Sequence, residues 1–521
     1  METTVLYSIF TIFVLYLASK FLVNARKKHR NHPPSPPALP IIGHLHLLKK
    51  PVHRTLDNLA QKYGPVFSLK FGSRFVVVVS SPSAVEECFT KNDIIFANRP
   101  YFSSGRYLSY NYTTLGSAPY GEHWRNLRRI AAIEILSSTR LNKFQDIRKS
   151  EVRMLIHRLR RVCGNGSAKV ELRPMLRDLT FNIIMEMVAG KRFYGEELCE
   201  DEQATYFQEL MNEFFSYTGA TKGKFLQDLF PILEVLDFSG NEKKRILLGE
   251  KLDVLCQELI DGHRKDKGRD TMITHLLTLQ ESQPEYYTDQ IIKGLIQNLL
   301  LAGTETTATS LEWAFANLVN HPNVLKKARA ELDTQVGQQR LMEESDFSKL
   351  PYLQSIMSEN SRLYPVAPLL VPHSSSSDCS IGGYHVPQGA MLFVNAWAIQ
   401  RDPKLWDNPT NFSPERFEDA RTEPYNLFPF GMGRRACPGD GLATRVLLLT
   451  LGSLIQCFDW ERKGQGQVDM TEKGGITMTK SEPLQVVCGS SWRGAVPCLL
   501  AAAIGSVAGG GWCDDAGERR G

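Results

Sequence analysis

Cys437 stands in the decapeptide Phe430-Gly431-Met432-Gly433-Arg434-Arg435-Ala436-Cys437-Pro438-Gly439, just ahead of a helical run from Leu442 to Phe458. A thiol at the start of a helix is biased towards thiolate, because the helix N-terminus presents positive charge and unpaired N–H groups. Gly433 and Gly439 permit tight turns that aim further N–H groups at the sulfur. Such a sulfur is a nucleophile or a metal ligand; the plain alternative is a structural cysteine in a glycine turn. The pattern F-x-x-G-x-R-x-C-x-G has five fixed positions and would arise by chance in roughly 1 in 10,000 chains of this length. That specificity favours chemistry.

A second cluster, Ala302-Gly303-Thr304-Glu305-Thr306-Thr307, lies midway along the longest helical stretch. Thr288 is a good N-cap, Asp289 stands in the first turn, and the pattern runs to His321 before Pro322. At 1.5 Å per residue this is about 50 Å of helix, enough to cross a whole domain. An interior glycine costs about 1 kcal/mol against alanine, so the centre is locally disfavoured. Either another helix crosses closely there or the segment serves a ligand, with Glu305 and Thr306 able to hold and pass protons. Glu359-Asn360-Ser361-Arg362 places two opposite charges on one helix face. Glu122-His123-Trp124-Arg125 fits the same E-x-x-R pattern, so alone the match carries no information.

The elements around these clusters are mainly helical. Leu56 to Tyr63 reads as a helix, Val66 to Ser80 as two strands joined at Gly72-Ser73, and Ile381 to Asn395 as short strands around Gly382-Gly383 and Pro387-Gln388-Gly389. Between about Ala84 and Glu359 most windows carry 3.6-residue periodicity. No solenoid repeat is visible. A composition of 42% hydrophobic and 22% charged residues excludes a disordered or multi-span chain, and a net charge of +5 over 521 residues gives no case for nucleic acid. Val5 to Val23 is apolar and about as long as a bilayer-crossing helix needs to be. Arg26, Lys27, Lys28 and Arg30 follow it, which predicts an uncleaved signal-anchor over residues 1–25 with the remaining chain cytoplasmic. Residues 26–42, basic and then proline-rich from Pro33 to Pro40, read as a stiff hinge. The body spans 43–488, and the Gly/Ala-rich residues 489–521 read as a disordered extension or an altered reading of the gene, with no function assigned to them. Ten cysteines at irregular spacing on a cytosolic face predict no disulfides. For the same reason the sequons at Asn111 and Asn165 are expected to stay unmodified.

The decapeptide resembles the cysteine-ligand loop of the cytochrome P450 superfamily, in which a cysteine thiolate holds the haem iron. The resemblance extends over roughly residues 30 to 488. It implies a cytochrome P450 fold, mainly α with small β-sheets and preceded by a transmembrane helix, and haem b with Cys437 as axial iron ligand. The implied cofactor contacts are Phe430, Gly431, Gly433, Arg435 and Gly439 in the loop, Ala302 and Gly303 on the distal helix, and Trp124 and Arg128 in a W-x-x-x-R match. Arg128 and Arg435 would face the propionates. Arg125 and Arg129 beside them would stay solvated and attract an acidic redox partner. Gly303 would leave room for dioxygen, while Thr306 and Glu305 would relay protons. Phe412-Ser413-Pro414-Glu415-Arg416-Phe417 is similar to the family's P-E-R-F segment and promotes Glu359, Arg362 and Arg416 to a buried structural triad.

Asn98-Arg99-Pro100, Gly190 to Gly195 and Tyr364 to His373 resemble plant microsomal members of the isoflavone-hydroxylase-like group; the serine run Ser374 to Ser377 departs from it. The expected function is therefore an endoplasmic-reticulum monooxygenase that oxidises a small lipophilic aromatic metabolite, such as a phenylpropanoid, isoflavonoid or lignan. It would take O2 and electrons from NADPH through the flavoprotein NADPH–cytochrome P450 reductase, with the lipid bilayer as its other partner. A haem-thiolate isomerase or dehydratase needing no electrons, and a non-catalytic haem-binding protein, are the competing readings. The intact Glu305-Thr306 pair argues against the isomerase.

Overall fold

The computed structural model describes residues 31–164, 166–195, 202–218, 241–266, 268–418 and 423–490, together with Thr11 and Leu229. The helices that frame the site are α1 (Val52–Tyr63), α2 (Ser103–Leu108), α3 (Glu122–Ile130), α4 (Gln145–Cys163), α5 (Leu172–Ala189), α6 (Asn241–Lys265), α7 (Asp289–Asn320), α8 (Pro351–Leu363) and α9 (Asp440–Cys457). The strands are β1 (Val66–Phe71), β2 (Arg74–Val79), β3 (Ser167–Glu171), β4 (His373–Ser374), β5 (Cys379–Ile381), β6 (Tyr384–Val386), β7 (Met391–Val394), β8 (Phe458–Arg462) and β9 (Gln485–Ser490), with a short antiparallel pair, Glu472–Lys473 and Thr479–Lys480, between β8 and β9 in the chain. The larger sheet has the order β1-β2-β7-β4, with β2 and β7 parallel; a second has the order β3-β9-β8, and β5 and β6 form a hairpin.

Helix α7 is the axis of the molecule. Its start is fixed by Thr288, whose hydroxyl accepts the Ile291 N–H at 3.4 Å, as the N-cap pattern predicts. Over its second half it is buried on every side: Leu311, Trp313, Ala314, Phe315 and Leu318 are wholly inaccessible. A helix buried all round belongs to the core of a large domain, and each large apolar side chain adds about 1.5–3 kcal/mol of burial. Trp313 stacks on Tyr364 at 4.2 Å between centroids, and its indole N–H donates to the Met478 carbonyl at 2.7 Å. α5 packs along the middle of α7, and α9 packs against its other side.

The expected charge triad is present. Arg362 meets Glu359 through two hydrogen bonds of 2.6 and 2.7 Å, and Arg416 approaches the same carboxylate at 3.6 Å. Arg362 also donates to the carbonyls of Gln400, Pro409 and Asn411, which ties α8 to the chain that leads into the cysteine loop. Glu359 and Arg362 are wholly buried, so a carboxylate and a guanidinium with every proton engaged are the only arrangement that tolerates the desolvation.

Two boundaries differ from expectation. Ser68 donates its N–H to Pro34 and its hydroxyl to Pro33, Lys70 N–H donates to His44 Nδ1, and His44 Nε2 donates to Pro36. His385 N–H donates to Asn31. Asn31 and the proline run are thus a strap fastened to the β5–β6 hairpin and β1, where a stiff hinge between anchor and body was expected up to residue 42. At the other end β9 continues through Gly489 and Ser490, which pair with Asp459 and Phe458, so the body takes two residues from the expected tail. Among the described residues no helix is long and apolar enough to cross a membrane. The run Val5 to Val23, the basic cluster after it and residues 491–521 lie outside the described residues.

Candidate haem-thiolate site

The cysteine loop is built by two glycines in the left-handed region, Gly431 (φ +71°) and Gly433 (φ +66°). A side chain on Gly433 would also strike Asp93 and Phe89, and Asp93 in turn accepts the Arg434 N–H at 2.9 Å. These turns bring the Cys437 N–H to the Phe430 carbonyl at 2.8 Å, closing the loop. Among the described cysteines Cys437 alone is exposed, as an iron ligand has to be. Gly439 differs from the expected tight turn: its φ is −97°, which any residue adopts. Its contribution is the N–H that donates to Cys437 Sγ at 3.3 Å as α9 begins. Although the residue is exposed, the protein packed behind the sulfur desolvates it and raises the thiol above its ordinary value; the Gly439 N–H opposes this, Asp440 adds to it, and Arg128 opposes it. The protein alone therefore does not hold a thiolate, and a coordinated metal cation would be what removes the proton.

Around the loop lies a corner rich in positive charge. Arg435 donates to the carbonyls of Ala97 (2.6 Å), Leu115 (3.2 Å) and Ala118, and lies over the Trp124 ring at 4.4 Å. Burial pulls its guanidinium down to about 9, with Arg99 and Arg128 pushing the same way. Arg128 donates to the Ala436 carbonyl at 2.6 Å. Arg99 donates to Val371 and Pro372, is held down to about 10 by burial, and leaves Nε buried without a partner. His373, buried, bonds the Phe96 carbonyl through Nδ1 at 2.7 Å; burial and then Arg99 press its pKa well below the imidazole range.

Among the described residues the hydrogen bonds of Arg99 and Arg435 go to backbone carbonyls and none to a carboxylate. Desolvated cations of this kind call for anions. Haem fits: its iron matches the sulfur, and its two propionates match the guanidiniums and the orphaned Nε. Arg99 and His373 were not among the site residues expected from the sequence. Both stand in segments that resemble the family, Asn98-Arg99-Pro100 and Tyr364 to His373, but nothing local assigns them to the site; the pairing of β4 with β7, together with the adjacent Asn98–Ser374 bridge, carries them to Arg435. Trp124 takes a supporting place, its indole N–H donating to Leu115 at 3.1 Å.

On the distal side Ala302 is exposed midway along a helix that is otherwise largely buried, and the Thr306 hydroxyl donates to the Ala302 carbonyl at 2.5 Å. Glu305 is half-buried beside it. Gly303 and Thr304 turn the other way, onto α5. A Cβ at Gly303 would lie 2.7 Å from Ile184 Cδ1, and Thr180 donates to the Thr304 carbonyl at 3.0 Å. Gly303 is thus the close crossing of two helices, the other of the two readings its sequence allows; Ala302, exposed, and Thr306, half-buried, are the accessible residues beside it. Segment 114–118 joins the two halves. Arg435 and Trp124 hold its Leu115 carbonyl, and Asn298, one turn before Ala302, accepts its Gly116 N–H at 3.0 Å.

A family model described as Cytochrome P450 matches residues 33–487. Isoflavone 2'-hydroxylase of Glycyrrhiza echinata is 53% identical, over 93% of this chain and 97% of that protein. The (+)-piperitol/(+)-sesamin synthase of Sesamum radiatum is 51% identical, over 94% and 97%. Among solved structures, a zebrafish cytochrome P450 with progesterone superposes with a TM-score of 0.74 at 27% identity, over 85% of this chain and all of that one.

Proposed function

The chain belongs to the cytochrome P450 family, and from that premise we propose that it inserts one atom of dioxygen into a small aromatic specialised metabolite of the phenylpropanoid, isoflavonoid or lignan type. It is a monooxygenase; the electrons come, on this reading, from NADPH through a membrane-bound flavoprotein reductase. The observation that carries the reading is the closed cysteine loop, with an N–H on its sulfur and a corner of cations without carboxylate partners beside it. The substrate class rests on relatives named for isoflavone hydroxylation and sesamin synthesis.

Haem, when bound, supplies the reductive activation of dioxygen. The chain supplies the surroundings. Cys437 would ligate the haem iron, with the sulfur's negative charge held by the Gly439 N–H and the N-terminus of α9. Arg99, Arg128 and Arg435 would hold the propionates, whose negative charge would offset the burial that lowers the guanidiniums, while His373, with its Nδ1 N–H on the Phe96 carbonyl, supports the corner. Thr306 keeps its proton on the Ala302 carbonyl, which leaves Oγ1 lone pairs free to accept a hydrogen bond from water; rotation of the hydroxyl would then turn its proton towards the distal side. Glu305, next in sequence and half-buried, resupplies it from solvent. In the balanced reaction, substrate C–H, O2, two electrons and two protons become C–OH and water.

The endoplasmic-reticulum membrane is the proposed location, with Val5 to Val23 as anchor. The test is product formation from a panel of isoflavones, phenylpropanoids and lignans, with and without NADPH, reductase and O2. Turnover that needs all three supports the reading, and product formed without electrons would replace it by an isomerase.

A further inference from the structure

Tyr110, Asn111 and Tyr112 follow one another in the left-handed region, with φ of +47°, +52° and +61°. Asparagine tolerates that conformation; a tyrosine there is strained, at a cost of order 1–2 kcal/mol per residue. Two strained tyrosines in one turn persist only if something holds them. The Tyr110 hydroxyl donates to Asp253 Oδ1 on α6 at 3.0 Å and accepts from Gln297 Nε2 on α7 at 3.2 Å. Lys293, also on α7, donates to the same Asp253 oxygen at 2.5 Å and lies 5.8 Å over the Tyr110 ring. The contact is close because α7 has a glycine there: a Cβ on Gly294 would lie 3.3 Å from Thr114 and 3.9 Å from the Tyr110 ring.

The strained turn leads directly into Leu115, Gly116 and Ala118, the segment that bridges Arg435 and Asn298. It is therefore the wall between the cysteine loop and the distal helix. We propose that Tyr110 is a positioning residue whose hydroxyl latches this wall closed against α6 and α7, and that release of the latch lets the strained turn relax and admits large ligands. The inference rests on the haem-site reading only for what the wall encloses; the latch itself is a property of residues 109–118, Asp253, Lys293 and Gln297. Tyr110→Phe is a clean perturbation, because the ring and its packing remain and Asp253 keeps Lys293 as partner.

The experiment uses the full-length, haem-loaded protein. Hydrogen exchange at amides 110–118 should quicken by roughly tenfold to a hundredfold in Tyr110→Phe, which loses both the bond donated to the Asp253 carboxylate and the one accepted from Gln297, while the middle of α7 is unchanged. Association of 4-phenylimidazole with the ferric haem should speed up, and that of the smaller imidazole should not. Asp253→Asn should act in the same direction, and the double variant should exceed neither single by the sum of both. Exchange and both association rates equal to wild type would overturn the latch, as would strict additivity. If wild type lacks a thiolate-type carbon monoxide band, the haem reading fails, and the exchange measurement still decides the latch.

Discussion

Replacing Gly303 with alanine separates two explanations of the weak centre of α7. The new methyl would lie 2.7 Å from Ile184 Cδ1 and 3.1 Å from Cγ1, closer than carbon atoms tolerate. Overpacking of this kind costs about 1–3 kcal/mol, and the better helix propensity of alanine returns about 1 kcal/mol. The net expectation is a loss of about 0–2 kcal/mol. Ile184→Val deletes Cδ1 and alone costs about 0.5–1.5 kcal/mol. In the double variant the alanine methyl occupies the space that Cδ1 leaves, so total volume is nearly conserved and the two changes should offset each other by about 1 kcal/mol or more. Urea unfolding of the loaded protein, followed by the haem absorption band and by circular dichroism, gives the four stabilities of the cycle. Additive losses, with activity abolished in Gly303→Ala and not restored by Ile184→Val, would refute the helix-crossing account and return Gly303 to the oxygen side.

Three other outcomes follow from the same geometry. Cys437→Ser should abolish the thiolate-type band of the reduced carbon monoxide complex, since a serine hydroxyl stays protonated; an unchanged band would remove Cys437 as ligand. Thr306→Ala loses the hydroxyl held on the Ala302 carbonyl, so NADPH consumption should continue while hydrogen peroxide is released at the expense of product; equal coupling in both proteins would take Thr306 out of the proton path. Against the upward push of burial, bonds from His53 and Arg54 hold Glu472 down to about 2. A carboxylate lowered in the folded state stabilises above its unfolded pKa and loses that contribution as pH falls. Wild type should lose stability from about pH 4.5 towards pH 2 more steeply than Glu472→Gln, and parallel acid-unfolding curves would contradict the assignment.

Local patterns in the sequence are sufficient for the elements that carry their own signals. Thr288 caps α7, Gly72-Ser73 turns β1 into β2, and the decapeptide marks Cys437, because in each case the determining residues are neighbours in the chain. Gly303 misleads, since a glycine announces a close approach without naming what approaches; Ile184 is 119 positions away. Gly431, with φ +71° and open space around it, has the backbone role that the sequence suggests for Gly439. Arg99 and His373 stand in segments that resemble the family, yet their place in the site is not legible there, for a similar reason. A single arginine and a single histidine have no periodicity, and it is strand pairing across nearly 300 residues that sets them beside Arg435.

That corner has a consequence for anyone who improves this protein by selection. Arg99, Arg435 and His373 are each penalised by burial in the polypeptide alone, so neutral replacements there, Arg99→Met for example, relieve the unloaded chain. A screen that scores yield or heat resistance without cofactor would enrich those replacements and discard the anion clamp. The same screen run on loaded protein would rank them last. Stability and function are opposed at these positions and aligned almost everywhere else in the core, so the loading state chosen for a screen decides which sequences survive it.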